Sequence, residues 1–472
     1  MIVHFSKGGV FMANKKNSRD LKFWIKKPKC SSCNRVLTSP NMWCPDCGEY
    51  VSVGPINGHY SDNPMNSMWD LSEFLPNFSK KISLSEGATP ILNVKNIKNL
   101  QGLLLKLENR NPTGTFRDRC SSLIVSHALS KQASTVHSVS TGSYGISLAA
   151  YCATAGLKSI NILPQNTELS KIEQLKIFGS ELIQHGESLN EAREYAKAMN
   201  QEQGIYIPKP KENLLTIEAQ KTIALEFFRI YGDNIKNILV PQGSGSLTMS
   251  IIHGIQDAIC SDWLKIPPRV ISVSLKKDSE MSYLIESLEI DEQEKKLLSE
   301  VNKKLKKNNG LNIEIDPNQM INDAMELAKK EGHFIEPASA SVISAAKSLY
   351  EKKEIDPKNT IAILTGSGLN ALNVFASKIR KIKKVVWGLA PASTCKFEIL
   401  NLIAENKADN GSEIWKALGK KHTRQSIYQH LSQLEENGLI SAKMKTKKAK
   451  KYTLTRKGFE ALDKMRELID LI

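Results

Sequence analysis

The chain lacks several things that whole classes of protein require. No stretch of its 472 residues reaches the roughly 18 to 20 uncharged apolar residues of a membrane span. The start, MIVHFSKGGVFMANKKNSRD, has no apolar core of the kind a secretory signal carries. Both absences predict a cytoplasmic protein. Glycine and proline are sparse, 27 and 18 residues, which excludes collagen-like and low-complexity chains. At 41% apolar the chain is also too hydrophobic to be wholly disordered. Its length implies about three domains and no single core. Met12 opens a more ordinary beginning, so the first eleven residues are read as a start-site artefact or a loose tail and left out of the fold, and residues 1–27 are taken together as an N-terminal tail.

Acidic charge is also scarce. There are 49 acidic against 65 basic residues, and the net charge of +16 is large for an enzyme of small molecules, so a polyanionic partner is expected. The excess sits late in the chain. Lys378 to Lys384 (KIRKIKK) and Lys443 to Lys457 (KMKTKKAKKYTLTRK) contain no acidic residue. Either run alone reads equally as a solvated surface.

Only eight cysteines are present, and half of them are crowded together. Cys30, Cys33, Cys44 and Cys47 read C-x2-C-x10-C-x2-C, two turn knuckles that each present a thiolate pair. Four thiolates match the tetrahedral preference of Zn2+ in a closed structural site. Pro45 and Gly48 suit the tight turn of the second knuckle. A disulfide or chance spacing is the competing reading, disfavoured in a reducing cytosol. With four protein ligands there is no open coordination position, so a zinc ion over residues 28–54 would hold a small fold together.

From about residue 85 to 385, short β-branched runs alternate with helix-length segments. LLLKLE (103–108), TVHSVS (135–140), SINILP (159–164), NILVPQ (237–242), RVISVSL (269–275) and TIAILTG (360–366) read as buried strands. Helices are expected at Ser121–Lys131, Ile146–Ala155 and Ile217–Ile230. The alternation predicts an α/β fold, one mostly parallel sheet with helices on both faces, whose ligands gather at strand C-termini. Four loops there combine glycine with hydroxyls ahead of a helix: NRNPTGTFRDR (109–119), STGSYG (140–145), QGSGS (242–246) and TGSGLN (365–370). Backbone N–H groups in such loops can face an anion, and QGSGS is the best phosphate cradle. Any one of them alone reads as an ordinary strand-to-helix turn.

In order, ENRNPTGTFRDR, STGSYGISLAAYCATAG, TIEAQKT, VPQGSGS, EPASASV and ILTGSGLN resemble the threonine synthase branch of the fold-type II pyridoxal phosphate enzymes, with its N-terminal zinc ribbon. The resemblance spans residues 28 to 375 and implies a tryptophan synthase β-like core over 55–385. It implies a cofactor site at Ser143, Gly243, Ser244, Gly245, Ser246, Thr365 and Ser367. Two positions depart from it. The family motif NPTGSFKDR supplies the lysine that links covalently to pyridoxal phosphate, and here Arg117 stands there. A guanidinium stays protonated and cannot form that link. Ser143 stands where the family has an asparagine beside the cofactor ring. Arg117 is able to pair bidentately with a carboxylate or phosphate; a surface arginine in a tolerant loop is the plainer alternative. Lys106 and Lys221 are the candidates for a relocated amine.

After a linker at 386–391, residues 392–472 leave that family. Helices are expected at Phe397–Glu405, at Glu413–Leu418 capped by Ser412, and at Arg424–Glu436 capped by Thr423 and stopped at Asn437-Gly438. LISAKMK and KYTLT read as two strands around a basic tip, followed by a helix from Lys457 to Ile472. The segment resembles a winged helix-turn-helix domain of microbial regulators. That resemblance places Arg424, Gln425, Ser426, Tyr428 and Gln429 on base edges or phosphates of double-stranded DNA. The wing Lys443, Lys445, Lys447, Lys448, Lys450 and Lys451 would neutralise phosphates. Leu462, Met465, Leu468, Ile469 and Ile472 suggest a helix that makes a homodimer, although a helix packed on its own domain would look the same.

Two readings of function follow. One is a transcriptional regulator whose catalytically inactive threonine synthase-like domain senses a small ligand: an amino acid, a phosphorylated metabolite or noncovalent pyridoxal phosphate. The other is a pyridoxal phosphate-dependent, threonine synthase-like lyase with an appended DNA-binding domain.

Overall fold

The structure is a computed structural model that describes residues 23–60, 63–199, 204–276, 288, 294–376, 391–405, 407–419, 423–446 and 449–470. Two compact units divide between Ala371 and Leu372. In the larger unit β1 (Lys29–Cys30) and β2 (Val51–Ser52) pair antiparallel beside the four clustered cysteines. Next come β3 (Ile91–Asn93), β4 (Leu104–Lys106), α1 (Arg117–Ser130), β5 (Thr135–Val139), α2 (Ser143–Ala155), β6 (Lys158–Leu163), α3 (Leu169–Ile177), β7 (Glu181–Gln184), α4 (Leu189–Ala198) and β8 (Ile205–Tyr206). The unit continues through α5 (Leu214–Gln220), α6 (Thr222–Tyr231), β9 (Asn237–Pro241), α7 (Ser246–Cys260), β10 (Arg269–Leu275), α8 (Lys295–Lys307), β11 (Leu311–Ile315), α9 (Pro317–Glu331), α10 (Pro337–Glu351) and β12 (Thr360–Ile363).

All six expected strands form, but they do not share one sheet. A six-stranded sheet runs β11-β10-β9-β12-β4-β3 and a four-stranded sheet runs β7-β6-β5-β8. Every pairing within these two sheets is parallel except that of the edge strand β3 with β4. The expected single sheet is therefore corrected to two: alternation reports that a strand is buried, not which strand it bonds. Central β9 is buried along its whole length, as a parallel strand covered on both faces should be. The expected helix Ile217–Ile230 is likewise two, α5 and α6, meeting at Lys221.

The tail boundary also moves. Phe23 and Trp24 are buried, and Phe23 lies 5.4 Å from Phe78 and 5.0 Å from the His127 ring. Two adjacent aromatics gain too much by burial to stay in solvent, so the core begins at least at Phe23.

The smaller unit contains α11 (Pro391–Ala404), α12 (Gly411–Ala417), α13 (Arg424–Glu436), β13 (Ile440–Thr446), β14 (Ala449–Leu454) and α14 (Arg456–Asp470). Ile399, Leu400, Ile414, Ile427, Leu431, Ile440, Tyr452 and Leu462 close one core. Thr423 caps α13 as expected, its Oγ1 accepting the Ser426 N–H at 3.1 Å, and Gly438 ends it with φ +68°. At α12 the cap is Asn410, not Ser412: Asn410 Oδ1 accepts the Glu413 N–H at 3.0 Å, and the helix starts two residues earlier than read. Leu462, expected on a dimerising face, packs inside its own unit. The side chains of Met465, Leu468 and Ile469, the residue Ile472, the run 378–384 and residues 386–390 of the linker lie outside the described residues.

Candidate functional site

The ligand end of the larger unit follows from strand order. Strands β4, β12 and β9 are parallel neighbours, so their loops 107–117, 364–368 and 242–246 leave the sheet at the same end. Backbone pairing ties the first two together. The Phe116 N–H donates to the Thr365 carbonyl at 2.9 Å, and that of Ser367 to the Gly114 carbonyl at 2.9 Å. The fourth loop, 140–145, leaves β5 of the smaller sheet and comes within reach where Thr115 Oγ1 lies 3.5 Å from Ser143 Oγ.

Two buried networks fix these loops. Asp118 accepts from Thr113 N at 2.7 Å and Oγ1 at 2.5 Å, and from Ser147 Oγ at 2.6 Å, so one carboxylate joins the 109–119 loop to α2. Burial pushes this carboxyl up to about 6. Arg119 is fully buried between Glu108 (2.7 Å) and Glu226 (2.5 Å), and Lys106 reaches Glu226 at 2.5 Å. The Glu226 carboxyl, which burial alone would raise, is held down to about 2 by Arg119 and then Lys106.

The QGSGS loop has the form of an anion cradle. Gly245, at φ +87°, precedes the 15-residue α7, and Ser244 and Ser246 hold their hydroxyls 3.4 Å apart. A side chain at Gly245 would be strained there and would press on Val301 of α8. These groups fit a phosphate at a helix N-terminus. In the 364–368 loop, Thr365 Oγ1 is 2.8 Å from Ser339 Oγ and donates to Glu336 Oε1 at 3.3 Å. Glu336 was not singled out in the sequence. A Cβ on Gly366 would fall 2.5 Å from its carboxyl carbon, so the glycine of TGSG was the available signal.

Arg117 opens α1, half-buried, with its guanidinium 4.6 Å from the Phe116 ring centre. The site thus fits the phosphate of pyridoxal phosphate but not a covalent link at residue 117. Nor do the two candidate amines fit. Lys106 is committed to Glu226 and the Thr89 carbonyl, and Lys221 lies between Glu218 at 2.6 Å and Asp257 at 2.8 Å.

The cysteine cluster is a second candidate site. Cys30, Cys33, Cys44 and Cys47 bring their Sγ atoms within 4.8 Å of one another, with contacts of 3.4, 3.6 and 3.7 Å. A tetrahedral ion with metal–sulfur bonds of about 2.3 Å needs sulfurs roughly 3.8 Å apart, so the donor set fits zinc. The ribbon is bound into the larger unit. Tyr50 Oη lies 3.3 Å from His253 Nε2 on α7, and Asp257 of the same helix accepts the Ile56 N–H at 2.9 Å.

In the smaller unit Arg424, Gln425, Tyr428 and Gln429 are exposed on α13 and Ser426 is half-buried. Arg424 stacks 4.4 Å over Trp415. Lys443, Lys450 and Lys451 are exposed, Lys443 and Lys451 facing each other across the β13–β14 ladder. Lys450 pairs with Glu435 at 3.3 Å and Lys451 with Asp409 at 2.9 Å. Lys447, Lys448 and the side chain of Lys445 lie outside the described residues. Among the described residues no helix is long and apolar enough to cross a membrane.

Known proteins agree with this architecture. The chain is 29% identical over 325 residues to a threonine synthase of Methanocaldococcus jannaschii, covering 64% of this chain and 80% of that one. It is 25% identical over 339 residues to a threonine synthase of Halalkalibacterium halodurans, covering 66% and 91%. Among solved structures an O-ureido-L-serine synthase superposes with a TM-score of 0.52 at 17% identity, over 61% of this chain and 92% of that one, which speaks to fold alone. Residues 82–366, well over half the chain, match the family described as pyridoxal-phosphate dependent enzyme. With its two parallel sheets, its glycine-hydroxyl cradle ahead of α7 and this match, the chain belongs to the pyridoxal-phosphate dependent enzyme family, with a fold-type II core.

Proposed function

We propose that the chain is a DNA-binding regulator whose larger unit holds a small ligand without a covalent link. That ligand is pyridoxal phosphate itself, an amino acid or a phosphorylated metabolite. The observation that carries this reading is Arg117 at the helix start where the resemblance expects a lysine, with Lys106 and Lys221 both spent in buried ion pairs. The smaller unit supports the other half. Its order of three helices, two strands and a helix is that of a winged helix-turn-helix, and the chain from Leu372 on carries 21 basic against 10 acidic residues. Helix α13 enters the major groove, the β13–β14 lysines meet phosphates, and two copies read a two-fold site. A ligand changes DNA affinity only if it binds two states of the protein unequally. The four cysteines hold a structural zinc.

A second reading is a pyridoxal-phosphate-dependent lyase of the threonine synthase kind carrying an extra domain. Family membership and the threonine synthase relatives favour it more directly than they favour the regulator. Pyridoxal phosphate supplies an electron sink when bound to substrate. On this reading the chain's own residues bind and orient, and an amine other than Lys106 or Lys221 must be supplied. One experiment separates the two: the absorbance of the purified chain with pyridoxal phosphate, before and after borohydride, followed by peptide mapping. The regulator reading expects saturable binding with no reducible adduct; a mapped lysine adduct would overturn it in favour of the lyase.

A further inference from the structure

Three stretches of chain meet on the floor of the cleft. Thr115 bridges Gly366 on one side, and Ile335 bridges Ser367 on the other. The Glu336 N–H donates to the Gly366 carbonyl at 3.1 Å. Residues 365–367 therefore run between 114–117 and 335–336, and the two flanking backbones stand about 10 Å apart, two strand spacings. Arg117 belongs to one flank and Glu336 to the other.

These residues carry opposite charges, and neither has a counter-ion within ion-pair distance among the described residues. The Glu336 carboxyl accepts from the hydroxyls of Thr365 (3.3 Å) and Ser339 (3.4 Å), and the Arg117 guanidinium lies over the Phe116 ring. Yet they sense each other. Burial raises the Glu336 carboxyl; the Thr365 and Ser339 hydroxyls oppose this most, and Arg117, then Lys171, add a smaller pull. The buried cations Arg119 and Lys221 of this unit are each matched at close range by two carboxylates, while Asp118, like Glu336, is held by hydroxyls. A cation on one flank and an anion on the other, not paired with each other and with hydroxyls between them, complement a zwitterion.

We infer that Arg117 and Glu336 form a recognition site for a free α-amino acid, Arg117 pairing with its carboxylate and Glu336 with its ammonium. This rests on the reading above that the larger unit binds a small ligand noncovalently, and it names the ligand class. A guanidinium offers a carboxylate two parallel N–H donors, which a lysine cannot. The hydroxyls of Thr115, Ser143 and Thr365 suit a small polar side chain. Substituting arginine for lysine thus exchanges a group that captures an aldehyde for one that captures an acid.

The test is isothermal titration of the full chain with each of the twenty common L-amino acids, then with two analogues of the best one. One analogue has the carboxylate reduced to an alcohol, the other the ammonium replaced by hydrogen. Pyridoxal phosphate serves as a separate probe. The expectation is saturable binding of at least one amino acid and a loss of roughly ten- to hundredfold for each analogue. Arg117→Gln should abolish discrimination against the alcohol only, and Glu336→Gln discrimination against the deaminated analogue only, a pattern that misfolding cannot produce. If no amino acid binds while pyridoxal phosphate does, the zwitterion site is refuted and the ligand-binding reading stands. If neither binds, the zwitterion site is refuted and, of the ligands named above, only a phosphorylated metabolite is left. Unchanged discrimination in the two variants also refutes the site.

Discussion

Substituting Lys221 by methionine tests whether that lysine is structural. Its Nζ lies 2.6 Å from Glu218 and 2.8 Å from Asp257, and all three side chains are at most 4% exposed. Methionine keeps the volume and removes the charge, leaving two buried carboxylates with no cation. Breaking a buried pair from one side costs about 3 to 5 kcal/mol, a large share of the 5 to 15 kcal/mol that hold a typical domain. The thermal midpoint of the larger unit should fall by at least about 5 °C. The pH dependence has a definite sign. Burial alone would raise the Glu218 carboxyl, but Lys221 holds it below its ordinary value of 4.5, so this stabilisation is present above that pH and lost as pH falls below it. In the variant only His253 at Glu218 and the Ile56 N–H at Asp257 still oppose burial, and both carboxyls take up protons more readily. The gap between parent and variant should therefore be widest near pH 7 and narrow toward pH 4, as followed by unfolding at several pH values. A gap below about 1 kcal/mol, or one independent of pH, would refute the structural assignment. Loss of a borohydride-reducible pyridoxal phosphate adduct in the variant would make Lys221 the relocated amine instead.

Three further outcomes are expected. Arg117→Lys should let pyridoxal phosphate form a borohydride-reducible adduct that maps to residue 117; binding without any adduct there would mean the loop no longer presents this position to the ligand. Cys44→Ser should lose tightly held zinc, measured by metal analysis of the purified full chain, and full occupancy would exclude the four-cysteine site. Replacing Lys443, Lys450 and Lys451 by glutamine should flatten the dependence of log K for duplex DNA on log salt by about 0.9 for each phosphate no longer neutralised. An unchanged slope would place the phosphate-binding groups elsewhere.

What the sequence disclosed follows burial. The six strands legible from it are buried in whole or in large part, as continuous apolar runs such as NILVP of β9. In the two larger sheets the strands it did not disclose, β3, β7, β8 and β11, are all edge strands. Their sequences, ILN, ELIQ, IY and LNIEI, are short or half polar because one side meets solvent. The same cause hid the division into two sheets, since the strands that end each sheet were the missing ones. The glycine-hydroxyl loops were legible because the backbone conformation itself demands glycine, as at Gly245. Glu336 was not, since a lone Glu-Pro before a helix is an ordinary helix start, and its role emerges only when Gly366 is seen to make room for it. At α12, Ser412 looked as good a cap as Asn410, and only the chain's path chose between them.

The larger unit treats its buried charges in two ways. Around the start of α1 and between α5 and α7, each cation meets carboxylates within 3 Å, and the groups come from distant parts of the chain: Glu108 with Glu226, Glu218 with Asp257. Such networks tolerate no change at one member, because the partner left behind is buried without a counter-ion. They hold α1, α5, α6 and α7 in register whatever stands at residue 117. Arg117 lies two residues from Arg119 but outside that network, half-buried with its guanidinium over the Phe116 ring. On the proposed reading, the difference between Arg117 and the lysine that the resemblance expects therefore leaves these buried pairs in place. That separation lets the fold of the family stand whatever residue 117 is, which is what the proposed reading requires.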